Sequence, residues 1–147
     1  LEFRRVLFRS GMHVMTPKFP LTYVEMKVVE MTQVGPLRIT PYPANHTGDT
    51  HPTSVRVEVA EKVIAYTGDS DWTPHMPAVA DNADLFVTEC YFHDKAVRFH
   101  MNYPTIKARW DELTAKRIVL THFSREMIAA KDDVPEECAF DGKVIEL

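Results

Sequence analysis

Long apolar runs are missing from this chain. No stretch approaches the roughly 20 residues needed to cross a bilayer, so the sequence offers no membrane span. Cysteine is scarce as well. Cys90 and Cys138 are the only two, they lack metal-type spacing, and one pair is weak evidence for a disulfide framework. The plainer expectation is two free thiols in a reducing, cytoplasmic setting. Basic side chains are in deficit, with 17 Lys and Arg against 21 Asp and Glu. The opening LEFRRVLFRS reads unlike the remainder: it has no starting Met and three Arg in ten positions, and it lacks the apolar core and cleavage site of a signal peptide. Residues 1–10 are therefore expected to be a non-native leader or sequencing scar, and 11–147 the domain. Without the leader's three Arg and one Glu, 14 basic side chains face 20 acidic ones, a formal charge of −6. That sign opposes non-specific binding to polyanions.

What is present is a soluble-type composition, 45% apolar and 26% charged, arranged in short strands. Period-two alternation predicts a strand over Tyr23–Glu30, a turn at Val34-Gly35-Pro36, and a second strand over Leu37–Pro41. A polar loop, Asn45–Pro52, follows. Ser54–Val59 and Val63–Tyr66 then make a hairpin around a turn at Glu61-Lys62. The first half is thus a β-meander. Further on, Leu85–Thr88 and Ile118–Leu120 are short continuous apolar runs, the pattern of strands buried on both faces. Thr105–Ala115 has helical periodicity behind Pro104, and Ser124 is placed to cap a helix through Ala130. Val144–Leu147 is expected to close the sheet. A meander followed by strand–helix units predicts an α/β (α+β) architecture with helices layered on a sheet.

Seven histidines make position the deciding matter. His46, Asp69 and His122 each follow the end of an expected strand, and residues just past strand ends gather at one edge of a sheet. Imidazoles and a carboxylate suit zinc, manganese or iron. Each position alone has an ordinary explanation, as a surface histidine or as a turn aspartate. His51 reads as solvated loop, and His75 and His93 as surface residues. Trp72 is expected to line or floor the site, and Trp110 to belong to the core.

Four local stretches carry a resemblance. Tyr66-Thr67-Gly68-Asp69-Ser70, Ala83–Phe92 with Glu89 inside it, His100-Met101-Asn102-Tyr103, and Arg117–Ser124 with Thr121-His122 inside it occur in this order. Together they resemble the ribonuclease Z-like branch of the metallo-β-lactamase superfamily. The resemblance implies the C-terminal half of that family's αβ/βα sandwich. It implies metal-ligand roles for His46, Asp69 (bridging) and His122, around two divalent ions, Zn2+ in the first place and Mn2+ or Fe otherwise. His100 would assist the leaving group, and Glu89 would orient that histidine as the second catalytic-site residue. The implied reaction is hydrolysis of a phosphodiester or related ester by a metal-activated water.

The family's H-x-H-x-D-H signature has no counterpart here, since no H-x-H pair occurs in the sequence. The resemblance thus implies a truncated member. The fragment itself is expected to be inactive, to expose an apolar sheet face, and to self-associate, the full-length protein being a homodimer. The tRNA-processing members insert a long Gly/Pro-rich arm before the bridging aspartate, whereas 22 residues separate His46 from Asp69 here. The expected partner is accordingly a small-molecule or nucleotide ester. Processing of tRNA 3′ ends is the disfavoured alternative, and a non-catalytic binding module is the other.

Overall fold

The computed structural model describes residues 19–20, 22–47 and 51–147. The expected leader, residues 1–10, lies outside them. Six strands form one sheet in sequential order: β1 (Thr32–Val34), β2 (Leu37–Pro43), β3 (Thr53–Val59), β4 (Lys62–Tyr66), β5 (Leu85–Glu89) and β6 (Ile118–Thr121). β1 to β4 pair antiparallel, and β4, β5 and β6 pair parallel. Strands β2, β4, β5 and β6 therefore run in the same direction, and their C-terminal ends share one edge of the sheet. Three helices follow the meander: α1 (Met76–Ala80), α2 (Tyr103–Ala108) and α3 (Arg125–Ala130). The mixed α/β architecture agrees with the expectation. Among the described residues, no helix is long and apolar enough to cross a membrane.

Alternation sorts the strands onto two faces. One face puts Ala65, Phe86, Cys90 and Leu120 into a core with Met76 and Val79 of α1, Ile106 of α2 and Met127 of α3. The other face carries two apolar rows set by the register, Ile39–Val57–Ile64–Leu85 and Pro41–Val55–Tyr66–Val87–Val119. Most of that second face is half-buried; Pro41, Leu85 and Val119 are buried, and Tyr66 is the exposed member at 40%. Pro41 and Pro43 sit within β2 beyond the reach of β1, which covers only Leu37–Ile39. Their missing N–H groups therefore cost no ladder bond on that side.

Several local expectations are corrected. The alternating Tyr23–Glu30 is no strand: residues 22–27 are irregular, and a turn at 28–30 holds Val29 at φ +64°. Tyr23, Val24, Val28 and Val29 are each more than 40% exposed, so the pattern had no surface to bury against. The β3–β4 turn is Ala60-Glu61, both at positive φ, and Lys62 already pairs with Val59. The helix expected over Thr105–Ala115 starts earlier, at Tyr103, where the Asn102 side chain accepts the Thr105 N–H at 2.9 Å. It ends at Ala108 and gives way to a 3-10 turn, Trp110–Glu112. Lys116 N–H donates to Ala83 O at 2.8 Å, and Thr114 Oγ1 accepts the Asn82 N–H, so the chain is drawn back to the sheet before a longer helix can form. Val144–Leu147 adds no strand. The outer edge of β6 is instead met by residues 137–139: Leu120 N–H donates to Glu137 O and Ala139 N–H to Leu120 O, both at 2.8 Å. A bend with Gly142 at φ +84° then leaves Val144 82% exposed.

Candidate metal centre

The common edge at the C-terminal ends of β2, β4, β5 and β6 collects the polar side chains. His46 lies three residues past β2, Asp69 three past β4, Glu89 ends β5, His100 is on the loop after β5, and His122 directly follows β6. Two loops are laced together at the base. Asn45 N–H donates to Ser70 Oγ, and Asp71 N–H donates to Asn45 O, each at 2.9 Å. Thr67 joins them to β5 by accepting the Glu89 N–H at 2.9 Å. Gly68, at φ +63°, makes the tight passage between Thr67 and Asp69, a conformation in which a side chain would be strained.

Glu89 is the centre of this edge and is fully buried. Its Oε2 accepts the Ser70 N–H at 2.6 Å. Its Oε1 faces the Nδ1 atoms of both His122, at 2.8 Å, and His100, which is in direct hydrogen-bond contact. A carboxylate can only accept, so each Nδ1 carries a proton, and a neutral ring then presents its lone pair at Nε2. The same logic holds for His46, whose Nδ1 meets the Phe99 carbonyl at 3.2 Å. The ring centres run in sequence, His46 to His100 at 5.0 Å and His100 to His122 at 5.7 Å. At the far side, His122 Nε2 lies 3.6 Å from Asp69 Oδ2.

Among the described residues, Glu89, His100 and His122 form the group of three whose candidate ligand atoms all lie within 4.8 Å of one another. Their close approach is explained by Nδ1–H donation, which already occupies both oxygens of Glu89 together with Ser70. That trio is an orienting unit. The outward-facing atoms suit a cation better. Two ligands about 2.1 Å from a shared ion in tetrahedral geometry stand about 3.4 Å apart, close to the His122–Asp69 separation. The donor set, imidazole nitrogen and carboxylate oxygen, also fits zinc, manganese or iron.

Two backbone conformations at this edge are unusual. Phe99 has φ +72° and His122 φ +59°. Histidine visits this region more readily than most residues, but a bulky phenylalanine there is held by its surroundings. The neighbouring acids and thiols respond to burial. The Tyr66 phenol is held above its ordinary range by burial, then by Asp69 and Glu89. Burial pushes the Cys90 thiol up to about 12, with Cys138 and Glu89 adding to the effect. Both cysteines are free.

The remaining aromatic and histidine expectations divide. His51 is exposed. His75 stands at the N-cap position of α1 beside Tyr42, 6.2 Å between rings. His93 is half-buried and stacks on Tyr103 at 5.9 Å, so it is no plain surface residue. Trp72 packs against the core, with the Arg109 guanidinium 5.0 Å from its ring centre and its backbone N–H donating to Asp71 Oδ1 at 2.7 Å. Trp110 packs on the core as expected, though from the 3-10 turn. Sequence reasoning passed over Tyr91 and Phe99. The signal was weak: an aromatic two residues after Glu89 and one directly before His100.

The family described as "Beta-lactamase superfamily domain" matches residues 2–123. Comparison with curated proteins gives no match. Among solved structures, the chain is similar to the metallo-beta-lactamase fold protein YhfI from Bacillus subtilis, with 23% identity and a TM-score of 0.71 over 93% of this chain and 61% of that one. A diphosphatase from the PhnP family gives 20% identity and 0.69, over 98% and 55%. The short form of human tRNase Z gives 21% identity and 0.60, over 78% and 45%. At these identities the likeness is one of fold, and the chain spans less than two thirds of each of the three.

Proposed function

The chain belongs to the β-lactamase superfamily, and we propose that its full-length protein is a metal-dependent hydrolase of the ribonuclease Z-like branch that cleaves a phosphodiester or related ester. One observation carries the reading: three imidazoles in a row have Nδ1 engaged by oxygen, and His122 Nε2 lies 3.6 Å from the Asp69 carboxylate. His46, Asp69 and His122 would hold the metal. Zn2+ suits the donors first, and Mn2+ or Fe would serve. When bound, such ions supply the Lewis acidity that activates water and offsets charge on the phosphoryl oxygens.

The chain's own residues do the rest. Glu89 anchors the rings of His100 and His122 through Nδ1, so neither imidazole can rotate or exchange tautomer freely. His100, once its Nε2 also takes up a proton, would pass that proton to the departing oxygen while Glu89 balances the charge of the ring. The water oxygen would bond to phosphorus and release one proton to solvent, the scissile P–O bond would break, and the proton from His100 would complete the released alcohol.

A small or nucleotide ester is the favoured substrate. The diphosphatase of the PhnP family among its structural neighbours is in keeping with it. So are the net negative charge and the 22 residues between His46 and Asp69, which leave no room for a tRNA-gripping arm. We place the protein in the cytoplasm, in line with two free cysteines, and as a homodimer when full length. The test uses the full-length protein: elemental analysis for about two ions per chain, and hydrolysis of bis(p-nitrophenyl) phosphate with and without chelator. Activity lost with chelator and with Asp69→Ala is expected. Metal-free protein that leaves phosphodiesters intact would point to the non-catalytic binding module, and preferential cleavage of precursor tRNA to the ribonuclease Z reading.

A further inference from the structure

Tyr91 is central to the edge and has no part in the chemistry above. Its ring stacks on His100 at 4.5 Å between centres and 25° between planes, and lies over His122 at 5.1 Å and 37°. Phe92 meets it edge-on at 4.7 Å. Its backbone contacts the same two loops. Tyr91 N–H donates to Met101 O, next to His100, at 2.8 Å, and Tyr91 O accepts the Ser124 N–H, two residues past His122, at 2.9 Å. One residue thus touches both histidine loops through both its backbone and its ring.

Those loops need holding. Phe99, just before His100, and His122 itself are both left-handed, conformations that persist only when surrounding contacts over-determine them. His100 and His122 also share a single oxygen, Glu89 Oε1, which demands that the two rings approach it together. An aromatic plane against both rings restricts their tilt and keeps water from competing for the Nδ1–H bonds. We propose that Tyr91 is a positioning residue that locks His100 and His122 in the Nδ1–H form over Glu89, presetting Nε2 of His122 for metal binding and Nε2 of His100 for taking up and delivering a proton. The ring face, not the phenol hydroxyl, does this work. The proposal rests on the reading of the site as a metal centre only for its last clause.

The experiment separates the two. Long-range 1H–15N spectra of the histidine rings are recorded on the metal-free chain at about pH 8.5, where ordinary imidazoles are neutral. His100 and His122 are expected in the Nδ1–H form in the parent and in Tyr91→Phe, and in averaged tautomers in Tyr91→Leu and Tyr91→Ala. Leucine keeps apolar volume without the ring, so a folded variant is available if alanine disrupts the loops. Zn2+ affinity of the full-length protein, by calorimetry, should fall about 10- to 100-fold in Tyr91→Leu and stay near the parent value in Tyr91→Phe. Unchanged tautomers in Tyr91→Leu, or loss in Tyr91→Phe as deep as in Tyr91→Leu, would overturn the proposal. Parent protein that binds no Zn2+ while the tautomers respond as stated would defeat the metal reading and leave Tyr91's positioning role standing.

Discussion

The antiparallel and parallel parts of the sheet are built to different standards. Every member of the core cluster among the described residues lies at Ala65 or later. In β5 all residues but Val87 are buried, whereas β2 buries Pro41 alone and β3 Ser54 alone. The site divides the same way. Glu89, His100 and His122 come from β5, β6 and the loops after them, Asp69 follows β4 where the two parts join, and His46 comes from the meander. The parallel part owes its rigidity to helices that cover one face, since crossover connections put them there. Among the described residues, α1 lies against β3 and β4 of the meander. Side chains that must be held to a fraction of an ångström are thus mounted on the densely packed strands, and the less buried strands deliver one further imidazole on a loop.

Truncating one residue in each part tests that difference. Phe86→Ala removes a ring that is 1% exposed and should cost about 3–5 kcal/mol in urea unfolding. Val57→Ala, on a half-buried strand of the meander, should cost about 1 kcal/mol. Comparable losses would erase the contrast between the two parts. A smaller effect is expected at the loop that carries His100. Asn102 caps α2 through the Thr105 N–H and also donates to Lys95 O at 3.0 Å. Asn102→Ala should lower stability by about 1 kcal/mol, with amide exchange rising over residues 95–106 and not in β2. Protection that falls equally across the meander would show that the loop is not an independent unit.

The sequence was most legible where burial follows a simple rule. The short apolar runs at Leu85 and Ile118 became parallel strands with buried residues on both faces, and Ser124 capped its helix as expected, accepting the Met127 N–H at 3.1 Å. It misled where alternation had nothing to pack against, as at Tyr23–Glu30. It also misled where distant contacts cut an element short, as Lys116 and Thr114 do after α2. At the site, strand ends named the positions of His46, Asp69 and His122. The sharing of one Glu89 oxygen by two imidazoles was not legible, because it depends on the β5–β6 register that sets Glu89 beside Thr121. Tyr91 escaped for the same reason. Its significance lies in loops that meet only in the folded chain.

The smallest effect expected is an acid response at the outer edge of the parallel part. Glu137 accepts from Arg117 Nε at 2.8 Å and is paired with Lys143 Nζ at 2.7 Å, and these partners hold its carboxyl down at about 2, against an ordinary 4.5. The sign follows from linkage. The unfolded carboxyl takes up its proton first as pH falls, so the clamp's contribution is full above pH 4.5 and is lost as pH drops toward 2. Glu137 is 30% exposed and Arg117 40%, so screening by solvent limits that contribution to about 0.5 kcal/mol. The clamp ties residues 137–139 to β6, so its loss should loosen that edge and leave β2 and β3 as they were. Urea midpoints for the parent and for Glu137→Gln, measured at about pH 6 and about pH 3, should differ at the higher pH and converge at the lower. A gap that persists at the lower pH would mean that Glu137 acts through packing and not through its charge.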